Sequence, residues 1–361
     1  MKILIISTGN RLRINTEFVN CLNELGIDAT CVLDSDYLYL GTSKPFYTIP
    51  TPMLLKLTKK LQPDFVIADS PYYAPYLLNL IKRPALVRII GAEQVSDAGV
   101  NFDIANYPSL FERIYTLYLS KITRPSLKKS GLTLPNCEWL KEQMDKKLPF
   151  CKSRVLYDGI SSNYSDTTLN SNSIHLKHPA VVGLFQFVVY QKVVGLLKFQ
   201  KIAKQMTDVN FYFAGNGPYL ELVRRHCAPN VHLLGKLSRD QASKLLVSGD
   251  IFVHPSGLDA LPSVVKEASI MKRPIIASNV GGIPEMMDNN KTGYICSIDD
   301  DKAWVNKIQY LLDNPQIGKE FGEKAYEFVK YKFDWRKISE DFVLNLNSFI
   351  TSGKMPSQLT N

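Results

Sequence analysis

Short apolar runs, each followed by a stretch with helical periodicity, recur along most of this chain, and that alternation limits the folds open to it. A strand buried on both faces reads as a continuous apolar run, while a crossover helix shows one apolar stripe, so the pattern argues for an α/β protein with parallel sheets. It starts at once: Ile3-Leu4-Ile5-Ile6 reads as a buried strand, and Phe18, Leu22 and Leu25 space as a helix that Gly26 ends. Ala29–Leu33, Phe65–Ala68, Leu86–Ile90 and Leu132–Leu134 read as further strands. The polar, aperiodic stretch Thr167–His178 interrupts the pattern, which then restarts. Val181–Phe185, Asn210–Ala214, His232–Leu234, Ile251–His254, Pro274–Ala277 and Gly293–Cys296 form the second set of predicted strands.

The expected architecture is two Rossmann-like parallel-sheet domains facing each other across a cleft. The first spans 1–172, a linker 173–180 and the second domain 181–335. The amphipathic stretch 336–350 is expected to pack back on the first domain, followed by a disordered tail at 351–361. A length of 361 residues suits two such domains. Open parallel sheets bind ligands at the carboxyl ends of their strands, which places the expected site in the cleft. No run approaches the ~20 apolar residues of a membrane span. The opening MKILIISTGNR turns polar too early for a signal-peptide core, so it reads as a strand. A formal charge of +9 favours anionic partners without choosing among them. The six cysteines are scattered with no Cys-x-x-Cys pair, which argues against a zinc site or disulfide framework and for a cytoplasmic location. His175 and His178 lie in the polar linker, where solvent exposure explains them better than metal.

The chemistry concentrates in the second half. In His254-Pro-Ser-Gly-Leu-Asp-Ala-Leu-Pro-Ser-Val-Val-Lys-Glu267, a strand ends at His254, a loop carries Asp259, and a helix is expected to open at Pro262. The first N–H groups of that helix, at Leu261, Ser263 and Val264, would form an anion site. Glu267, one turn in, suits a diol such as ribose, while Asp259 suits a hydroxyl or a developing charge. Taken alone, a surface Asp and an ordinary helix Glu explain that spacing equally well. Val280-Gly-Gly-Ile-Pro-Glu285 and Phe213-Ala-Gly-Asn-Gly-Pro218 repeat the device of strand, glycine turn and helix.

The order FAGNGPYLE, HLLGKLSRDQASKLLVSGDIFVHPSGLDALPSVVKEASIMKRPIIASNVGGIPEMM and KTGYI, ending in Phe333-Asp-Trp335, resembles the donor half of glycosyltransferase family 4 enzymes of the GT-B fold. MKILIISTGN, LPNCEWLKE and Val155-Leu-Tyr-Asp-Gly-Ile160 extend the resemblance weakly over the first half. The resemblance implies a retaining transferase that moves a sugar from a nucleoside-diphosphate sugar to a glycan or lipid-linked acceptor, with no metal or other cofactor. It maps the family's acidic pair onto Asp259, near the sugar, and Glu267, on the ribose. The N–H groups across Ala260, Leu261, Pro262, Ser263 and Val264 fall on the sugar and diphosphate contacts, Pro262 itself having none to give. Lys192 matches the cation that neutralises the leaving diphosphate, Gly9 lets backbone approach that diphosphate, and Leu237 matches the position that reads the base.

Two departures stand out. The family's arginine five residues before the lysine is Phe187 here, and the family's His-Gly after a first-domain strand is replaced by Ile90-Gly-Ala-Glu93. Arg88 and Glu93 are the polar candidates near that strand end for the acceptor. A catalytically weakened, transferase-like binding subunit is therefore an alternative, and a nucleotide-sugar epimerase of the same fold is another. Tyr72, Tyr73 and Tyr107 would stack on an acceptor or pack in the core. Leu110–Lys129 and the basic residues within 121–154 suit either peripheral contact with an anionic membrane or a helix with a solvated basic end. No nucleic-acid motif, nucleophile triad or metal cluster competes.

Overall fold

The computed structural model describes residues 1–7, 11–33, 37–38, 46–47, 52–69, 86–89, 121, 123–130, 132–160, 174–187 and 190–351. The chain divides into two compact units. One comprises 1–40, 44–161 and 333–361, and the other 41–43 and 162–332.

Among the described residues, the first unit holds a five-stranded parallel sheet. Its strands are β1 (Lys2–Ser7), β2 (Asp28–Leu33), β5 (Phe65–Ala68), β6 (Leu86–Ile89) and β7 (Thr133–Pro135), in the order β2-β1-β5-β6-β7. A two-residue antiparallel pair, β3 (Tyr37–Leu38) and β4 (Phe46–Tyr47), stands apart. Helix α1 (Leu12–Glu24) ends before Gly26, whose φ of +79° is open to glycine at no steric cost. Helices α2 (Pro52–Leu61) and α3 (Glu138–Lys147) also belong to this unit. The chain returns to it through the last helix, Trp335–Thr351. Trp335, Ile338, Phe342 and Leu346 of that helix join Ile3, Ile5, Phe18 and Ile67 in one buried cluster. Phe18 and Trp335 stack with ring centroids 5.4 Å apart. A buried side chain of this size contributes roughly 1.5–3 kcal/mol, which is why a segment so remote in sequence stays on this core.

The second unit is built on a six-stranded parallel sheet among the described residues. Its strands are β8 (Ala180–Leu184), β9 (Asn210–Ala214), β10 (Val231–Gly235), β11 (Ile251–His254), β12 (Ile275–Ser278) and β13 (Gly293–Cys296), in the order β10-β9-β8-β11-β12-β13. Its helices are α4 (Tyr190–Gln205), α5 (Leu220–His226), α6 (Arg239–Ser248), α7 (Ser263–Ile270), α8 (Asp301–Asp313) and α9 (Pro315–Lys332); the last helix of the chain is α10. Ser238 caps α6 in a capping box with Gln241. Phe199 sits at the centre of the core, edge-on to Phe211, Phe213 and Trp304 at 5.3–5.8 Å.

Each sheet has a point where the strand order reverses, between β1 and β5 in the first unit and between β8 and β11 in the second. At such a point the loops leaving the two neighbouring strands run in opposite directions and open a crevice. No described helix is long and apolar enough to cross a membrane.

Candidate active site

At the second reversal, the loops that follow β8 and β11 bring three polar side chains together. Lys192, in the first turn of α4, places Nζ 2.9 Å from Asp259 Oδ1. His254, the last residue of β11, places Nε2 3.2 Å from Asp259 Oδ2. Asp259 is buried and Lys192 keeps a fifth of its side chain exposed. Burial by itself would raise the pKa of this carboxyl. Lys192 and the hydrogen-bonded His254 override that and hold it down at about 2, so the group is ionised throughout the neutral range.

Backbone contacts fix this arrangement. The Gly257 N–H donates to the Lys192 carbonyl at 3.1 Å, and a Cβ on Gly257 would lie 2.3 Å from the Gln191 carbonyl oxygen. Only glycine lets α4 approach the loop this closely. On the other side, the Ser278 hydroxyl donates to the carbonyls of His254 (3.0 Å) and Ser256 (2.6 Å). Gly281, in the Gly-Gly turn after β12, has φ +57°, and a Cβ there would meet the Asp259 carbonyl oxygen at 1.6 Å. The Gly-Gly motif thus seats the loop that carries Asp259.

Pro262 is the N-cap of α7 (φ −66°, ψ 117°), and the helix begins at Ser263, one residue later than its proline suggests. The ring still presets the entry into the helix, but ψ is extended. The first-turn N–H groups at Ser263 and Val264 are those an α-helix leaves without intrahelical acceptors. Ala260, Leu261 and Pro262 are buried in the turn that leads in, and Glu267 lies half-buried one turn along. Leu237, also half-buried, follows β10 at the same edge of the sheet. The helix expected at Pro284 is a single 3-10 turn, Ile283–Met286.

Phe187 does not stand in an arginine's place at the surface of this site. Its side chain is fully buried, 5.5 Å from the Phe185 ring, in the core of the unit. Its backbone clasps the FAGNG turn, accepting from the Tyr219 N–H at 3.0 Å and donating to the Asn216 carbonyl at 3.2 Å.

In the first unit, Arg88 is fully buried rather than presented to a ligand. Its guanidinium pairs with Asp158, donates to Asn15 Oδ1 at 2.9 Å and lies 3.7 Å from Asp69. Arg11 donates to both oxygens of Asp158, at 3.1 and 2.6 Å, and lies 3.5 Å from Asp69. Two cations and two carboxylates thus meet at the first reversal point, and sequence reasoning did not find them as a set. The available signal was Arg88 itself, a charge inside the apolar strand Leu86-Val-Arg-Ile89. Beside this cluster, Ile160 N–H donates to the Phe333 carbonyl at 2.8 Å, so the Asp158-Gly-Ile160 and Phe333-Asp-Trp335 signatures meet. Gly9, Glu93, Tyr72, Tyr73, Tyr107 and Leu110–Ser120 lie outside the described residues. Helical residues 123–129 expose Arg124, Lys128 and Lys129. Among the described residues, no group of three His, Cys, Asp or Glu side chains is placed to hold a metal ion.

Residues 171–328 match the family model described as glycosyl transferases group 1, and they include Lys192, His254, Asp259 and Glu267. The chain is 32% identical over 150 residues to sulfoquinovosyl transferase SQD2 of Arabidopsis thaliana, covering 40% of this chain and 29% of that protein. This chain therefore spans less than a third of that relative's length. Its fold matches sucrose-phosphate synthase of Thermosynechococcus elongatus with a TM-score of 0.71 at 15% identity, covering 98% of this chain and all of that one. It also matches Anabaena HepE, solved with UDP and glucose, with a TM-score of 0.65 at 15% identity over 96% of this chain and all of that one. Two parallel-sheet Rossmann-like units of the GT-B class are thus the fold.

Proposed function

We propose that this chain is a retaining glycosyltransferase that moves a sugar from a nucleoside-diphosphate sugar to a glycan or lipid-linked acceptor. The observation that carries the reading is the Lys192–Asp259 pair at the strand-order reversal, inside the segment that matches group 1 glycosyl transferases. A departing diphosphate concentrates negative charge, and stabilising it is the main physical task of such a reaction. Lys192 supplies a partly exposed cation, and the α7 N-terminus supplies N–H groups and the positive end of a helix dipole. Asp259, ionised and oriented, accepts from a sugar hydroxyl, and Glu267 accepts from the ribose diol. The leaving phosphate deprotonates the acceptor hydroxyl on the same face, so no protein nucleophile is required, and no metal enters the reading. HepE, solved with UDP and glucose, makes uridine the first base to try. The site is read as working in the cytoplasm, and the basic residues exposed at 123–129 suit an anionic membrane surface or plain solvation.

Incubating the full chain with a panel of UDP-, GDP- and ADP-sugars and a mixed acceptor pool tests the proposal. One donor is expected to be consumed with retention at the anomeric carbon, and Glu267→Ala to abolish consumption while leaving the thermal transition intact. Full activity in that variant would overturn the assignment. Tight binding of a nucleotide without turnover of any sugar would favour the binding-subunit reading.

A further inference from the structure

His254 has one face to offer and one partner to offer it to. Only 4% of its side chain is exposed. Phe185 lies 5.6 Å away, and Phe252, its neighbour on the same face of the sheet, lies 6.4 Å away with ring planes 9° apart. Nε2 reaches Asp259 Oδ2, while Nδ1 is buried with no hydrogen-bond partner among the described residues. An ionised carboxylate only accepts, so Nε2 carries a proton and donates it to Asp259. The other tautomer would aim two lone pairs at each other and bury an unsatisfied N–H.

The two partners of Asp259 differ in what they can do next. Lys192 sits on one carboxylate oxygen with part of a long, flexible side chain in solvent, so its Nζ can swing to another anion. His254 sits on the other oxygen with a short side chain enclosed by aromatic rings at the end of a central strand, and it cannot leave. When Nζ turns to a phosphate oxygen, Asp259 remains buried and charged, and the Nε2–H is the donor that stays.

We propose that His254 is the positioning residue of this site: it holds Asp259 ionised and in place while Lys192 is shared with a phosphate-bearing ligand. The proposal rests on the reading that the site takes a nucleoside diphosphate. His254→Gln keeps an N–H at the position of Nε2, whereas His254→Phe keeps the packing and removes the donor.

Two measurements on the full chain test it. In spectra of protein labelled with 15N-histidine, the signal lost in His254→Phe is expected to show a proton on Nε2; a signal with Nε2 unprotonated would overturn the proposal. This readout needs no ligand, so it stands even if the functional reading fails because wild type binds none of UDP, GDP and ADP. Calorimetry with whichever of the three binds is the second measurement. Affinity is expected to fall about tenfold or more in His254→Phe and to return to within threefold of wild type in His254→Gln. Equal losses in the two variants would reduce His254 to packing, and no loss in either would remove it from the site. Should His254→Phe fail to fold, the signal lost in His254→Gln assigns His254 and the tautomer still decides.

Discussion

Both sheets gather charge at the point where their strand order reverses, yet the two clusters are built to different ends. In the first unit, Arg11 and Arg88 face Asp69 and Asp158, and all four side chains are at most 9% exposed. Burial lowers the pKa of both guanidinium groups; the carboxylates more than offset this at Arg11, whose pKa is net raised, while Arg88 stays net lowered. Arginine keeps its charge at any working pH in either case. The charges cancel within the protein, and the cluster is closed. In the second unit the buried carboxylate of Asp259 faces a lysine that is still partly in water, and its other oxygen meets a histidine. A balanced, enclosed set acts as structure. A carboxylate whose main counter-ion can turn away leaves that cation available to a ligand, as proposed for Lys192. Position in the fold alone does not distinguish the two, because both lie where α/β sheets bind ligands; the exposure of the cation does.

The comparison breaks most severely if Asp158→Ala leaves the protein stable. That change leaves two buried guanidinium groups to share Asp69 alone and is expected to cost about 3–5 kcal/mol in urea unfolding. Next in size is Phe187→Arg, which from sequence looks like restoration of a second cation for the diphosphate. With Phe187 fully buried beside Phe185, it instead removes core packing and buries a charge, at a cost of roughly 3 kcal/mol or more. A stable variant with tighter nucleotide binding would refute that placement. The Asp259 carboxyl, held at about 2 against an ordinary 3.8, contributes about 2 kcal/mol. Because its folded pKa is depressed, that contribution is full above about pH 4 and is lost as pH falls toward 2. The stability gap between wild type and Asp259→Asn is therefore expected to narrow over that interval in chemical denaturation. The smallest effect belongs to Lys198–Asp299, which at 2.6 Å is as short as any pair in the first cluster that involves Arg11, but is exposed on both sides. Lys198→Ala is expected to change stability by less than about 1 kcal/mol, and a larger loss would mean that distance matters more than burial.

Much of the fold was legible because buried parallel strands are apolar throughout. Phe65–Ala68, Asn210–Ala214, Ile251–His254 and Gly293–Cys296 have the predicted bounds, and other strands shift by about one residue. Ends are set by local hydrogen bonds rather than pattern, which is why Pro262 became a cap instead of the first helical residue. The sequence pattern places the division between domains near 173, whereas the compact units divide at 161/162. The Asp259–Glu267 stretch stood out in the sequence and the family resemblance added Lys192; the structure brings Lys192 and Asp259 into contact. Two features were not legible. His254 looked like an ordinary strand end, because its partner comes from a loop whose path no local periodicity encodes. The Arg11–Asp69–Arg88–Asp158 set draws on four separate segments, and only a tertiary fold can bring them together. Phe187 is the instructive case between these: alignment by motif gave its position, but only packing shows that the side chain faces the core.

The claim that the reversal point of the second sheet is a nucleoside-diphosphate site is tested most directly by calorimetric titration. UDP, GDP and ADP would each be titrated into the full chain and into Glu267→Ala. Tight binding of one nucleotide to wild type is expected, with its loss in a variant that remains folded. No binding of any of the three, or equal binding by both proteins, would contradict it.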